Sequence, residues 1–168
     1  MTKHYGQYGA IQVDGIKSTA SGTENIGVPT IISKDVTYGA ATGSSGVVAT
    51  IPAGQVWAIH AVFANVTTNF DCTGDDATLI VGDDGDIDGF LVLADAELQT
   101  ADTEGTGFPA GWQGQTAATL GAYLDANHNA FIYAPSAEQT IDYLVSETSG
   151  DTLTAGAATI YVWYTRIK

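Results

Sequence analysis

From Val47 onward the chain is cut into short runs of β-branched and aromatic residues, divided by clusters of Gly, Asp, Asn and Pro. Runs of that length and composition fold as strands, and the clusters between them turn the chain. Strands are expected near residues 28–33, 47–51, 55–66, 77–82, 90–93, 119–124, 130–134, 140–146 and 157–167. Helical periodicity is nearly absent; Ala94 to Asp102 fits either a single helical turn or a loop. Many short strands with turn signals between them predict an all-β fold, an antiparallel β-sandwich with jelly roll as its candidate topology.

Two segments carry apolar residues on both faces. In 55–66, Trp57, Ile59 and Phe63 fall on one parity and Val56, Val62 and Val66 on the other. Such a strand is central, or its outer face meets another subunit. The last strand places Ile160, Val162 and Tyr164 on one side and Tyr161 and Trp163 on the other. Thr140 to Ser146 instead alternates Ile141, Tyr143 and Val145 with polar residues, which predicts one wet face, broken only at Leu144.

Residues 1–46 read differently. Residues 1–27 are rich in Gly, Ser and Thr, with few apolar anchors, and predict an extended arm that does not support itself. A first short strand follows at 28–33, then a glycine-rich loop at 39–46. The expected division is therefore an arm with one strand at 1–46 and a sandwich body at 47–168.

Charge is distributed unevenly. The five basic residues are Lys3, Lys17, Lys34, Arg166 and Lys168, so none lies between Lys34 and Arg166. All the acids except Asp14 and Glu24 lie in that stretch, and the net charge is −14. A body without cations cannot clamp phosphate or neutralise nucleic acid, and it is repelled by anionic membranes. No apolar run is long enough for a helical membrane span, and the first ten residues hold no apolar signal core, so synthesis in a cytoplasm is expected. Cys72 is the single cysteine and predicts no intrachain disulfide.

Three constellations bear on chemistry. Asp84-Gly-Asp86-Ile-Asp88-Gly89 has the oxygen spacing of the first half of a calcium loop, and Asp95 occupies the twelfth position. The competing reading is an acidic turn whose aspartates cap their own backbone amides. Calcium is the one cofactor to consider. Trp112, on the loop at 102–118, fits either a sugar-stacking aromatic or a pin holding its own loop. His4, His60 and His128 show no ligand spacing, and there is no nucleophile elbow or phosphate loop, so no enzyme is expected.

The segments Ala49-Thr-Ile-Pro-Ala-Gly54, Val56 to Val66, Thr67-Thr-Asn-Phe-Asp71, Ala77-Thr-Leu-Ile-Val-Gly82 and Gly85-Asp-Ile-Asp-Gly-Phe90 follow one another in order. Thr154-Ala-Gly-Ala-Ala-Thr-Ile-Tyr-Val162 comes later. This pattern resembles small β-sandwich structural proteins of tailed-bacteriophage virions, of the head decoration (cement) type. The similarity spans 49–165 and is densest over 49–90 and 154–164. It implies a protein made in the host cytoplasm and mounted on the outer head surface. Its implied partners are the major capsid protein and further copies of itself, with a homotrimer suited to three-fold positions. The arm's basic residues Lys3 and Lys17, with Lys34, are the expected shell contacts. The alternative is a carbohydrate-binding or host-attachment module of a tail or fibre, with Trp112 as its sugar contact.

Overall fold

The computed structural model describes residues 16–17, 23–24, 27–38, 43–73, 77–94, 98–99, 121–124, 130–147 and 152–168. Two short strands, Ile16–Lys17 (β1) and Thr23–Glu24 (β2), pair antiparallel within the arm. Eight strands build the body: Pro29–Thr37 (β3), Ser44–Ile51 (β4), Trp57–Cys72 (β5), Thr78–Gly82 (β6), Leu91–Leu93 (β7), Phe131–Tyr133 (β8), Gln139–Ser146 (β9) and Leu153–Arg166 (β10). They form two antiparallel four-stranded sheets, ordered β3-β10-β5-β8 and β4-β9-β6-β7. The all-β sandwich expected from the turn pattern is therefore the fold.

The core lies between the sheets. Phe70, Phe90, Ile51, Ile59, Leu79 and Ile141 are fully buried there, each contributing roughly 1.5–3 kcal/mol by leaving water. Trp57 is buried in the core and Tyr164 packs against it, their rings stacked at 3.9 Å between centroids.

The two-faced character of 55–66 has a specific cause. Tyr164 pairs with Ile59 and Trp163 with Ala61, so His60 is an extra residue bulged out of register. A bulge reverses side-chain parity. Trp57 and Ile59 point inward before it, and Val62, Ala64 and Val66 point inward after it. Much of the apparent second apolar face is thus the same inner face, displaced by one residue. β5 is also central, between β10 and β8.

β3 and the first residues of β4 precede Val47 and pair into the two sheets, β3 with β10 and β4 with β9. Of the run at 119–124, the described part, Gly121–Leu124, departs from expectation and makes a turn. Tyr123 N–H donates to Gly89 O at 2.7 Å, and Leu124 N–H donates to Gly121 O at 3.1 Å. This segment packs against the 83–89 loop instead of joining a sheet. Leu98 N–H donates to Ala94 O at 3.2 Å; apart from Ala94, Leu98 and Gln99, the run Ala94 to Asp102 lies outside the described residues.

Candidate functional site

The 83–89 loop is organised by Asp83, the residue just before the calcium-like spacing. Its carboxylate is buried, at 6% exposure. Oδ1 accepts hydrogen bonds from the Gly85 and Asp86 amides at 2.8 and 2.9 Å and from the Tyr123 hydroxyl at 3.0 Å. Oδ2 accepts from the Tyr133 hydroxyl at 2.6 Å. Burial pushes the carboxyl upward, but the hydrogen bonds from Tyr133, Asp86, Gly85 and Tyr123 outweigh it and hold Asp83 below the usual carboxylate range. The tyrosines respond in the opposite sense. Burial, then the Asp83 carboxylate, pushes Tyr123 up to about 12 and Tyr133 further still.

The turn is tight because Gly82 and Gly121 allow it. A Cβ on Gly82 would collide with the Asp86 carbonyl, and one on Gly121 with Asp88 and Gly89. Of the residues proposed for calcium, Asp84 and Asp88 are exposed and Asp86 is half-buried. The Asp86 carboxyl is raised, first by a hydrogen bond shared with Asp88 and then by desolvation and charge repulsion. Asp95 lies outside the described residues. Among the described residues, no group of three or more His, Cys, Asp or Glu side chains is arranged to hold a metal ion. The amide-capping turn is present, made by Asp83.

The outer face of the β3-β10-β5-β8 sheet is aromatic. Phe63 stacks on Tyr161 at 5.1 Å, and His60 lies 5.2 Å from Trp163. His60 Nε2 also makes a 2.8 Å hydrogen bond with Thr165 Oγ1, as a mid-strand histidine among apolar residues is expected to do. Ile31 and Ile132, on the sheet's two edge strands, are 57% and 55% exposed.

The basic residues within the described stretches are Lys17, Lys34, Arg166 and Lys168. Lys34 is exposed on β3. Gly27 N–H donates to Arg166 O at 2.7 Å, so the arm joins the body beside Arg166 and Lys168. The backbone of Lys17 lies in β1; Lys3 and Trp112 lie outside the described residues. A shallow depression of about 290 Å³ is lined by Tyr133, Ala134, Pro135, Ser136, Ala137 and Gln139. It brings a serine hydroxyl together with no histidine and no carboxylate.

The Asp83–Tyr123–Tyr133 network escaped the sequence reading, which centred on Asp84, Asp86 and Asp88. The available signal was an aspartate at a strand end with glycine two residues on, the pattern of an aspartate turn.

The chain matches no protein-family model and no curated protein. Two solved structures resemble it in fold. A chain of the acidic stable capsid structure of Helicobacter pylori bacteriophage KHP30 is 12% identical, with a TM-score of 0.49, covering 84% of this chain and 90% of that one. A chain of the cyanophage Pam1 capsid asymmetric unit is 17% identical, with a TM-score of 0.47, covering 91% of this chain and 94% of that one. Similarities of this size carry no argument about role.

Proposed function

We propose that this chain is a structural protein of a phage virion, a decoration (cement) protein that sits on the outer head surface and reinforces the shell. The observation that carries the reading is the physical coupling of the virion-like motifs. The Pro52-Ala53-Gly54 turn leads into β5, with Gly54 at φ 78°. Phe70, from the Thr67–Asp71 motif, packs on Gly156, from the 154–162 motif, so closely that a Cβ on Gly156 would run into its ring. Motifs more than eighty residues apart in the chain meet in one contact of the core.

Three further features support it. The two-sheet body is filled by side chains, and its described residues bring no catalytic set together. The body carries the acidic surface of a chain with net charge −14, which suits exposure to water and excludes packaged DNA as a partner. The arm joins beside Arg166 and Lys168, so the end of the sandwich that carries these two cations is the side that faces the shell, with Lys17 of the arm and Lys34 of the edge strand β3 as further contacts. Copies associate as homotrimers at three-fold positions.

Deleting residues 2–27 tests the orientation. The described body strands all begin after Gly27, so the truncated chain should fold. Its binding to undecorated heads should fall at least about tenfold, or ~1.4 kcal/mol. Undiminished binding would remove the arm from the shell contact.

A further inference from the structure

The 83–89 loop holds two Asp-Gly pairs, Asp84-Gly85 and Asp88-Gly89. This dipeptide carries a chemistry of its own. The amide nitrogen of the glycine attacks Cγ of the aspartate before it, since glycine has no side chain to block the approach. The new N–Cγ bond closes a succinimide ring, and the carboxyl hydroxyl leaves with the amide proton as water. Water then reopens the ring at either carbonyl. One product is aspartate again. The other is isoaspartate, whose main chain runs through Cβ and Cγ and is longer by a methylene. The two pairs are restrained differently. Gly89 is buried, its N–H donates to Asp86 O at 3.1 Å, and a Cβ placed on it would meet the Tyr123 ring at 2.6 Å. Asp84 and Gly85 are both exposed, so water reaches that pair freely.

We infer that Asp84 is a latent site of backbone isomerisation, and that the Asp83 carboxylate keeps it intact by tying down the Gly85 amide. Gly85 N–H donates to Asp83 Oδ1 at 2.8 Å, and Asp86 N–H donates to the same oxygen at 2.9 Å. The peptide planes on both sides of Gly85 are thus pinned edge-on to one buried atom. So held, the nitrogen cannot turn the face of its plane toward Asp84 Cγ. Charge acts in the same direction. Removing the Gly85 amide proton would create an anion against the Asp83 carboxylate. That carboxylate is held below the usual range, so it is a poor base for the proton. The product would not fit the loop. Asp83 N–H donates to Asp86 O at 2.9 Å and Asp86 N–H to Asp83 O at 3.2 Å, and Gly82 leaves no space beside the Asp86 carbonyl. An extra methylene between these partners breaks their exchange of bonds, so isomerisation undoes the restraint that prevented it. This chemistry belongs to the loop alone and stands apart from the proposed function.

The experiment ages the full chain in mildly acidic buffer, well below its melting temperature, both native and in concentrated urea. Isoaspartate at position 84 is counted by electron-transfer fragmentation mass spectrometry. The native chain should accumulate it at least about tenfold more slowly than the unfolded chain. Asp83→Ala removes the acceptor and should raise the folded chain's rate at least about fivefold, as local opening becomes easier. Tyr133→Phe removes a different hydrogen bond to Asp83 and leaves Oδ1 in place, so it should age like the parent. Equal rates in buffer and in urea would overturn the inference. An Asp83→Ala rate no higher than that of Tyr133→Phe would do the same, and a rate below the parent's would make Asp83 a base that promotes the reaction. If Asp83→Ala does not fold, the parent's Gly85 amide decides the matter. Its hydrogen exchange should be slowed at least about tenfold relative to the unfolded chain, and exchange at the unfolded rate would remove the tie.

Discussion

Asp83 shows how one carboxylate can fold a loop full of others. It is buried and accepts four hydrogen bonds, whereas Asp84 and Asp88 face water. Asp83→Asn keeps the shape but halves the acceptor oxygens, leaving a donor opposed to a donor near Tyr133. The expected loss is roughly 2 kcal/mol, or about 4–8 °C in melting temperature. Asp84→Asn should change little. The pH dependence follows from the directions of the shifts. Asp83 has a folded value below its unfolded one, so its contribution is present above the unfolded value and is lost as acid takes the pH down through the folded value. Tyr123 and Tyr133 are raised, so their contribution is present below about 10 and declines as pH rises toward 12. Thermal melts from pH 8 to 11.5 should show that alkaline loss, and Tyr123→Phe should make it shallower. A flat alkaline limb in the parent would contradict the network.

At the scale of elements, β5 and β10 form the spine of one sheet, and Gly156 is where they meet a core aromatic. Gly156 has φ 146° and no room for a Cβ beside Phe70; Gly54 has φ 78° and open space around it. Gly54→Ala should therefore cost only backbone strain, about 1 kcal/mol. Gly156→Ala adds overpacking and should cost about 2–4 kcal/mol. Equal costs by denaturant titration would show that the Phe70 contact does not matter. The strands themselves were readable, because β-branched runs between turn residues leave little choice of element. The His60 bulge was not readable, since a parity reversal looks identical to a strand buried on both faces. The apolar residues of 119–124 predict a strand, but in its described part, Gly121–Leu124, Tyr123 is instead drawn to Gly89 and Asp83 by long-range hydrogen bonds. The amide-capping turn was legible as a type, and the residue that makes it was not, because burial of Asp83 depends on tyrosines forty and fifty residues away.

For the whole molecule, charge is the dominant feature. Between Lys34 and Arg166 the carboxylates have no side-chain cation of their own segment to offset them. Screening should relieve that repulsion, so the melting temperature should rise between about 10 and 500 mM sodium chloride. A flat or falling curve would mean that the acids are already dispersed widely enough. On the proposed reading, the same asymmetry would set the orientation, with the arm root and Arg166 toward the shell and the acidic surface toward solvent. Electron cryomicroscopy of the intact virion tests that central claim most directly. The account predicts density for the two four-stranded sheets on the outer face of the head, around three-fold positions, with Arg166 and Lys168 toward the shell. The same density at the tail tip, or none on the particle, would contradict it.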